Sequence, residues 1–334
     1  MNNNKQDIAK KYISTAFYQP NLLPGYSSFK NLLTSYEEIK EFFETLGYKD
    51  SQREEFNTYK NYKESIYKEA IASTNLGYSD SETEKIAGDI FKKLYKSNLD
   101  FPTYLFMADK LNFIDRKINF TNKHLLDDLL MDNGGAVIVA HHWGYFQYAM
   151  IPLMYNYPVT FIMADYFVPW AKSMASTYLD QRFINNIDYL GIQTSSNNSK
   201  YKNETTLYHA INQLKKNRVV FIMSDHSVAP VKPEQTTHFL GNEIFLPLSH
   251  VALGISSKKP LIHMISSQEV DGTISITFDH VIQTQSLSKV DMIDVGKLSM
   301  SIMEKLLIDN ISDWNFADYY YLYMRNKRSV LNNG

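Results

Sequence analysis

At 334 residues the chain is long enough for one large α/β domain, or for a core domain with an appendage, and needs no disulfide or metal staple to hold a core. It contains no cysteine, which excludes disulfides, thiolate nucleophiles and cysteine-ligated metals, and leaves His, Asp, Glu, Ser, Lys and Tyr for chemistry. Net charge is −2, and no basic stripe with interleaved aromatics runs along the chain, so a phosphate-tracking surface, and with it nucleic acid as a partner, is excluded.

The chain opens on the polar stretch Met1 to Asp7 with no apolar h-region behind it, and nowhere do ~18 apolar residues run together uncharged. The expectation is a cytoplasmic protein, at most peripheral at the inner membrane face. Residues 1 to 130 are rich in Lys, Glu, Asn and Tyr, with apolar residues at helical spacing, as in Phe42, Phe43 and Leu46 and again in Ile86, Ile90, Phe91 and Leu94. The run Asp80 to Glu84 supplies caps and first-turn acids for the second of these helices. This section reads as a helical N-terminal cap.

Residues 131–334 read as an α/β core. From Gly134 short β-branched runs alternate with helical segments, the pattern of a mainly parallel central sheet flanked by helices. Strands are expected at 136–140, 159–163, 219–223 and 261–265. A helix is expected over 204–216, where Leu207, Ala210, Ile211 and Leu214 share one face, Glu204 opens and Lys215, Lys216 and Asn217 close. Asp271 and Gly272 stand before the alternating Ile274, Ile276 and Phe278, which predicts an antiparallel hairpin at the end of the sheet. A long helix follows over 290–308.

The run His141, His142, Trp143, Gly144, Tyr145, Phe146, Gln147 follows directly on the apolar strand Ala136 to Ala140. Strand ends and helix starts in α/β proteins gather side chains and backbone N–H groups around one crevice. A histidine there can take a proton from a hydroxyl or amine if an acceptor on its other ring nitrogen fixes the tautomer. Gln147, five residues on, can accept that N–H but lacks a carboxylate's charge. Asp225, and behind it Asp165, follow strand ends on the same edge and can supply the charge. His141 is expected to turn to the opposite face in a structural role. His226 and His238 lack any metal-ligand spacing with His142, so neither metal nor cofactor is expected. Arg182 reads as a helix-surface arginine paired with Asp180 or solvent.

Residues 130 to 325 resemble the lysophospholipid acyltransferase superfamily, in particular the bacterial lipid A (lauroyl and myristoyl) acyltransferase branch and its mannoside-acylating relatives. Ala140 to Gln147 is similar to that family's His-x4-Asp/Glu block, with His142 as the histidine, Gly144 as the glycine, Phe146 at the aromatic position and Gln147 in place of the acid. Leu214 to His226 is similar to its helix, strand and acidic turn. Phe239, Leu240 and Gly241, with Leu246, Pro247 and Val251 to Gly254, look like the segment lining the acyl groove, and Asp313 to Phe316 is similar to the aromatic C-terminal segment.

The resemblance implies transfer of a fatty acyl group from a thioester, on acyl carrier protein or coenzyme A, to an amphiphilic or soluble hydroxyl or amine acceptor by direct attack. It makes His142 the general base, with Gln147 and Asp225 beside it and oxyanion donors near Gly144. Trp143, Gly144, Arg182, Phe239 and Gly241 would line the substrate site, with Arg182 as a contact for a donor phosphate. Two other readings stay open: a carrier-linked transferase of a specialised-metabolite assembly line, and an acyl-binding protein that has lost turnover.

Overall fold

The computed structural model describes residues 54–107, 117–179, 181–193, 199–225, 236–269, 271–315, 317, 318 and 320. Phe42, Phe43, Leu46 and His226 therefore lie outside the described residues. The chain divides into two compact units, residues 108–310 and residues 1–107 with 311–334.

The larger unit is the α/β body. In chain order it runs β1 (Ile118–Thr121), α3 (Lys123–Asn133), β2 (Ala136–Ala140), α4 (Phe146–Asn156), β3 (Val159–Ala164), a 3-10 turn (Asp165–Phe167), α5 (Val168–Tyr178), α6 (Gln181–Ile184), β4 (Ile187–Ile192), α7 (Ser199–Lys215) and β5 (Val219–Met223). It continues with a hairpin, β6 (Thr236–Phe239) and β7 (Asn242–Phe245), then α8 (Ser249–Ser257), β8 (Leu261–Gln268), β9 (Ile274–Ile282) and α9 (Met292–Asp309). Seven strands form one sheet in the order β1-β9-β8-β2-β5-β3-β4, parallel except for the β8/β9 pair. The expected α/β architecture, mainly parallel and flanked by helices, is the observed one.

Strands β2 and β5 are apolar throughout because helices cover both faces of a parallel sheet. Every residue of β2 is fully buried. Alternation sorts their side chains: Val137, Val139, Val220 and Ile222 pack with Leu214, Val251, Leu253, Leu261 and Ile302 in one cluster built with α7, α8 and α9. Ile138, Ala140, Phe221 and Met223 point to the other face. Helix α7 begins at Ser199, ahead of Glu204, and stops where expected, with Asn217 left-handed at φ 60°. The Asp271–Gly272 hairpin forms, with Gly272 at φ 86° and the Thr273 N–H donating to Asp271 Oδ1.

Two strands of the seven-stranded sheet escape the sequence reading for a common reason. β1 and β4 are the sheet's edges, β1 alternates between buried and exposed residues, and β4 is half-buried along its length. Neither carries the continuous apolar run that marks a central strand. β1 pairs in parallel with β9, which joins residues 118–121 to the sheet of the α/β body.

The smaller unit holds α1 (Glu54–Ala72) and α2 (Asp80–Met107) with the chain from Ile311 onward. Phe56 packs edge-on against Phe91 and Tyr95. Ser79 and Glu82 form a capping box at the start of α2. Lys93 donates to Asp313, Lys63 pairs with Asp318, and Trp314 is buried beside Tyr320. Asp313 to Asn315 of the C-terminal block therefore lies in this helical unit.

Candidate active site

Strand order places a crevice before any side chain is considered. From β2 the chain travels to β3 and β4; from its neighbour β5 it travels the other way, to β8. Right-handed crossovers in opposite directions lie on opposite faces, and the carboxyl ends of the strands where they part are the ligand position of open α/β sheets.

The register then decides which residues meet there. Ala140 pairs with Met223, and the Ser224 N–H donates to the Ala140 carbonyl at 2.8 Å, so the ladder extends one step past both strands. Residues one step on, His141 and Ser224, share the face of Val139 and Ile222; residues two steps on, His142 and Asp225, share the opposite face. Each pair is bonded. Ser224 Oγ lies 2.9 Å from His141 Nδ1, and Asp225 Oδ1 lies 2.9 Å from His142 Nδ1.

Asp225 grips His142 twice, since its Oδ2 also accepts the His142 backbone N–H at 2.7 Å. The carboxylate is nearly sealed, its side chain 3% exposed, whereas the imidazole is 25% exposed. Burial pushes the Asp225 carboxyl up, but the neighbouring His142 ring and its two hydrogen bonds outweigh burial and leave the pKa below the ordinary value. An ionised carboxylate only accepts, so His142 carries its proton on Nδ1 and presents Nε2 with a lone pair. The Phe146 ring meets the imidazole edge-on at a centroid distance of 5.2 Å.

The link from strand to helix is short. Gly144 adopts φ 54°, a left-handed conformation that glycine takes without penalty. The Trp143 N–H donates to the His141 carbonyl and the Phe146 N–H to that of Trp143, which turns the chain into α4 directly beside His142. The amino end of α4, positive by its dipole, is thereby set at the crevice.

The structure gathers some of the expected residues and disperses others. His142 and Asp225 are in contact, and Gly144 lies in the turn. Gln147 is in the first turn of α4, half-buried, while the acceptor on His142 Nδ1 is Asp225. Trp143 is buried, its ring 6.2 Å from that of His141. Phe239 is buried at the end of β6, and Gly241, at φ 80°, forms the hairpin turn with Leu240 at φ 49°. Arg182 falls in α6, its side chain outside the described ones. Asp165 is exposed in the 3-10 turn after β3, and His238 is exposed on β6. Val251, Leu253 and Gly254 of the third block are buried in the body's core, Gly254 so tightly that an added Cβ would lie 2.5 Å from Leu261 Cδ2. Among the described residues no group of three or more acidic or imidazole side chains could hold a metal, and no helix is long and apolar enough to cross a membrane.

Two neighbours of the pair, Phe146, given by the resemblance as the motif aromatic, and Ser224, given no role by the sequence, complete the site. Phe146 stands four residues after His142, a helical spacing that hints at contact. Ser224 is one residue before Asp225, and its partnership with His141 follows only from the strand register.

A mainly parallel sheet with an imidazole and a buried carboxylate at its central carboxyl edge is an arrangement that can move a proton in an α/β enzyme. The chain belongs to the bacterial lipid A biosynthesis acyltransferase family, whose model matches residues 65–319, and it is an acyltransferase. No match was found among the curated proteins. Among solved structures it is similar to the 1-acyl-sn-glycerophosphate (LPA) acyltransferase PlsC from Thermotoga maritima, at 10% identity and a TM-score of 0.35, over 75% of this chain and 93% of that one.

Proposed function

We propose that this acyltransferase takes a fatty acyl group from a thioester, borne by acyl carrier protein or coenzyme A, and passes it to an acceptor hydroxyl or amine by direct attack. The observation that carries the reading is the double grip of Asp225 on His142, which supports one tautomer and one ring orientation with Nε2 as the base. Nε2 removes the acceptor proton as the acceptor oxygen or nitrogen attacks the thioester carbonyl. The tetrahedral oxyanion develops near the amino end of α4, whose dipole favours it. Collapse breaks the carbon–sulfur bond, and the departing thiolate takes the proton from the imidazolium, so base and thiol are restored with no acyl-enzyme. We place the reaction in the cytoplasm, with membrane contact at most peripheral.

Gln147 was the reason for reading the chain as an acyl-binding protein without turnover. The Asp225 carboxylate on His142 supports turnover instead. The absence of cysteine makes the test clean, because a thiol reagent then responds to released carrier alone. With lauroyl-, myristoyl- and palmitoyl-coenzyme A and the corresponding acyl carrier proteins, supplied with an amine and hydroxyl acceptor panel, the wild type should release thiol and His142→Ala should not, while keeping the wild-type circular dichroism. Undiminished release by folded His142→Ala would remove His142 from the reaction.

A further inference from the structure

Behind the sheet, on the face away from His142, five buried polar side chains form a continuous line. Ser224 is bonded to His141; the His141 ring stacks on His263 of β8 at a centroid distance of 5.8 Å. His263 Nε2 lies 3.3 Å from Ser299 Oγ of α9, and the same hydroxyl is 2.8 Å from His250 Nε2 of α8. All five are at most 2% exposed. Burial holds the three rings neutral, with pKa values lowered to about 4 for His141, about 3 for His250 and about 2 for His263. Aliphatic side chains would fill this space without the cost of desolvating five polar groups. What the polar line supplies is direction: a packed methyl group tolerates rotation, and a hydrogen bond at 2.9 Å does not.

We propose that His141 and Ser224 are positioning residues for the His142–Asp225 pair, clamping the two strand ends from the back face. The inference rests on the function proposed above. Past the Ser224–Ala140 backbone bond β2 leads into the turn toward α4, and side-chain bonds hold its end to that of β5. The peptide between His141 and His142 carries the N–H that Asp225 Oδ2 accepts. A rotation of residue 141 swings that donor and, through it, the ring of residue 142. The His141–Ser224 bond blocks the rotation, and the stack on His263, fixed in turn by Ser299 and His250, ties the clamp to α8 and α9. His141 and Ser224 touch no reacting atom; they act through their neighbours.

The test reads the ring of His142 directly. In protein with ¹⁵N-labelled histidine, wild type should show His142 as the Nδ1-protonated tautomer. Ser224→Ala should mix the tautomers and broaden the signal, and Ser224→Thr, which keeps the hydroxyl, should restore it. His141→Asn, whose amide can stand where Nδ1 stood, should be milder than His141→Leu. In thiol release from the acyl thioester panel, Ser224→Ala should lower kcat roughly 10- to 100-fold at unchanged KM. In a His142→Ala background it should change nothing further. Unchanged His142 resonances in folded Ser224→Ala overturn the positioning role whatever the activity. Altered resonances together with an active His142→Ala would retain the clamp and sink the functional reading.

Discussion

At the scale of single residues, the site turns on which acceptor holds one imidazole nitrogen. Sequence spacing pointed to Gln147, five positions along, because helical and turn contacts are the ones a linear pattern exposes. The acceptor found on Nδ1 is Asp225, 83 residues away. It was within reach of the sequence as a candidate, since both residues stand two positions beyond a five-residue apolar strand, and parallel strands in equal register bring equal offsets together. What no pattern contained was that these two strands are neighbours. Replacement separates the two partners: Asp225→Asn keeps the shape but removes the charge and offers Nδ1 a donor, so kcat should fall by about 10⁴, the scale of the analogous change in a serine protease triad. Gln147→Ala should cost less than about tenfold. Thiol release with an acyl thioester measures both, and equal losses would return the orienting role to Gln147.

At the scale of elements, legibility followed burial. Strands β2 and β5 are covered on both faces and were read from their apolar runs, as was the β8–β9 hairpin from its Asp-Gly turn. Edge strands β1 and β4 meet water and carry mixed sequences, so they were missed. The β6–β7 hairpin shows a different conflict. Its turn puts Leu240 at φ 49°, a conformation glycine or asparagine takes more readily, yet the Leu240 side chain is buried and its N–H is accepted by Glu304 Oε1 of α9. Left-handed geometry costs a non-glycine residue about 1 kcal/mol, while deleting a buried leucine side chain costs about 3. Packing wins. Leu240→Gly should therefore destabilise by about 2 kcal/mol in urea unfolding; a gain in stability would mean that strain dominates the turn.

At the scale of the whole molecule, three histidines buried among the described residues of the α/β body, His141, His250 and His263, make its stability depend on acid. Each has a pKa below its unfolded value of ~6.5, so the unfolded chain binds more protons as pH falls beneath that value. Their stabilisation is complete above ~6.5 and drains away as pH drops toward the folded values of about 4, 3 and 2. Near pH 5 each contributes a slope of about 1.4 kcal/mol per pH unit, or roughly 4 for the three. Asp225, with its pKa lowered, adds a loss of the same sign below ~3.9. Urea midpoints measured from pH 7 to pH 5 should fall steeply, and His263→Leu should remove about one third of the slope. A flat profile would mean that the rings are charged or solvated in the folded protein.

The linear sequence by itself determined the architecture class, the central apolar strands, the Asp271–Gly272 turn and the histidine at a strand end, because each of these is set by local periodicity and backbone chemistry. The tertiary structure decided which carboxylate meets that histidine, which side chains His141 meets on the face expected for it and where the edge strands pair. Those depend on strand order and register, and hydrogen bonding between strands distant along the chain leaves no local mark on either partner.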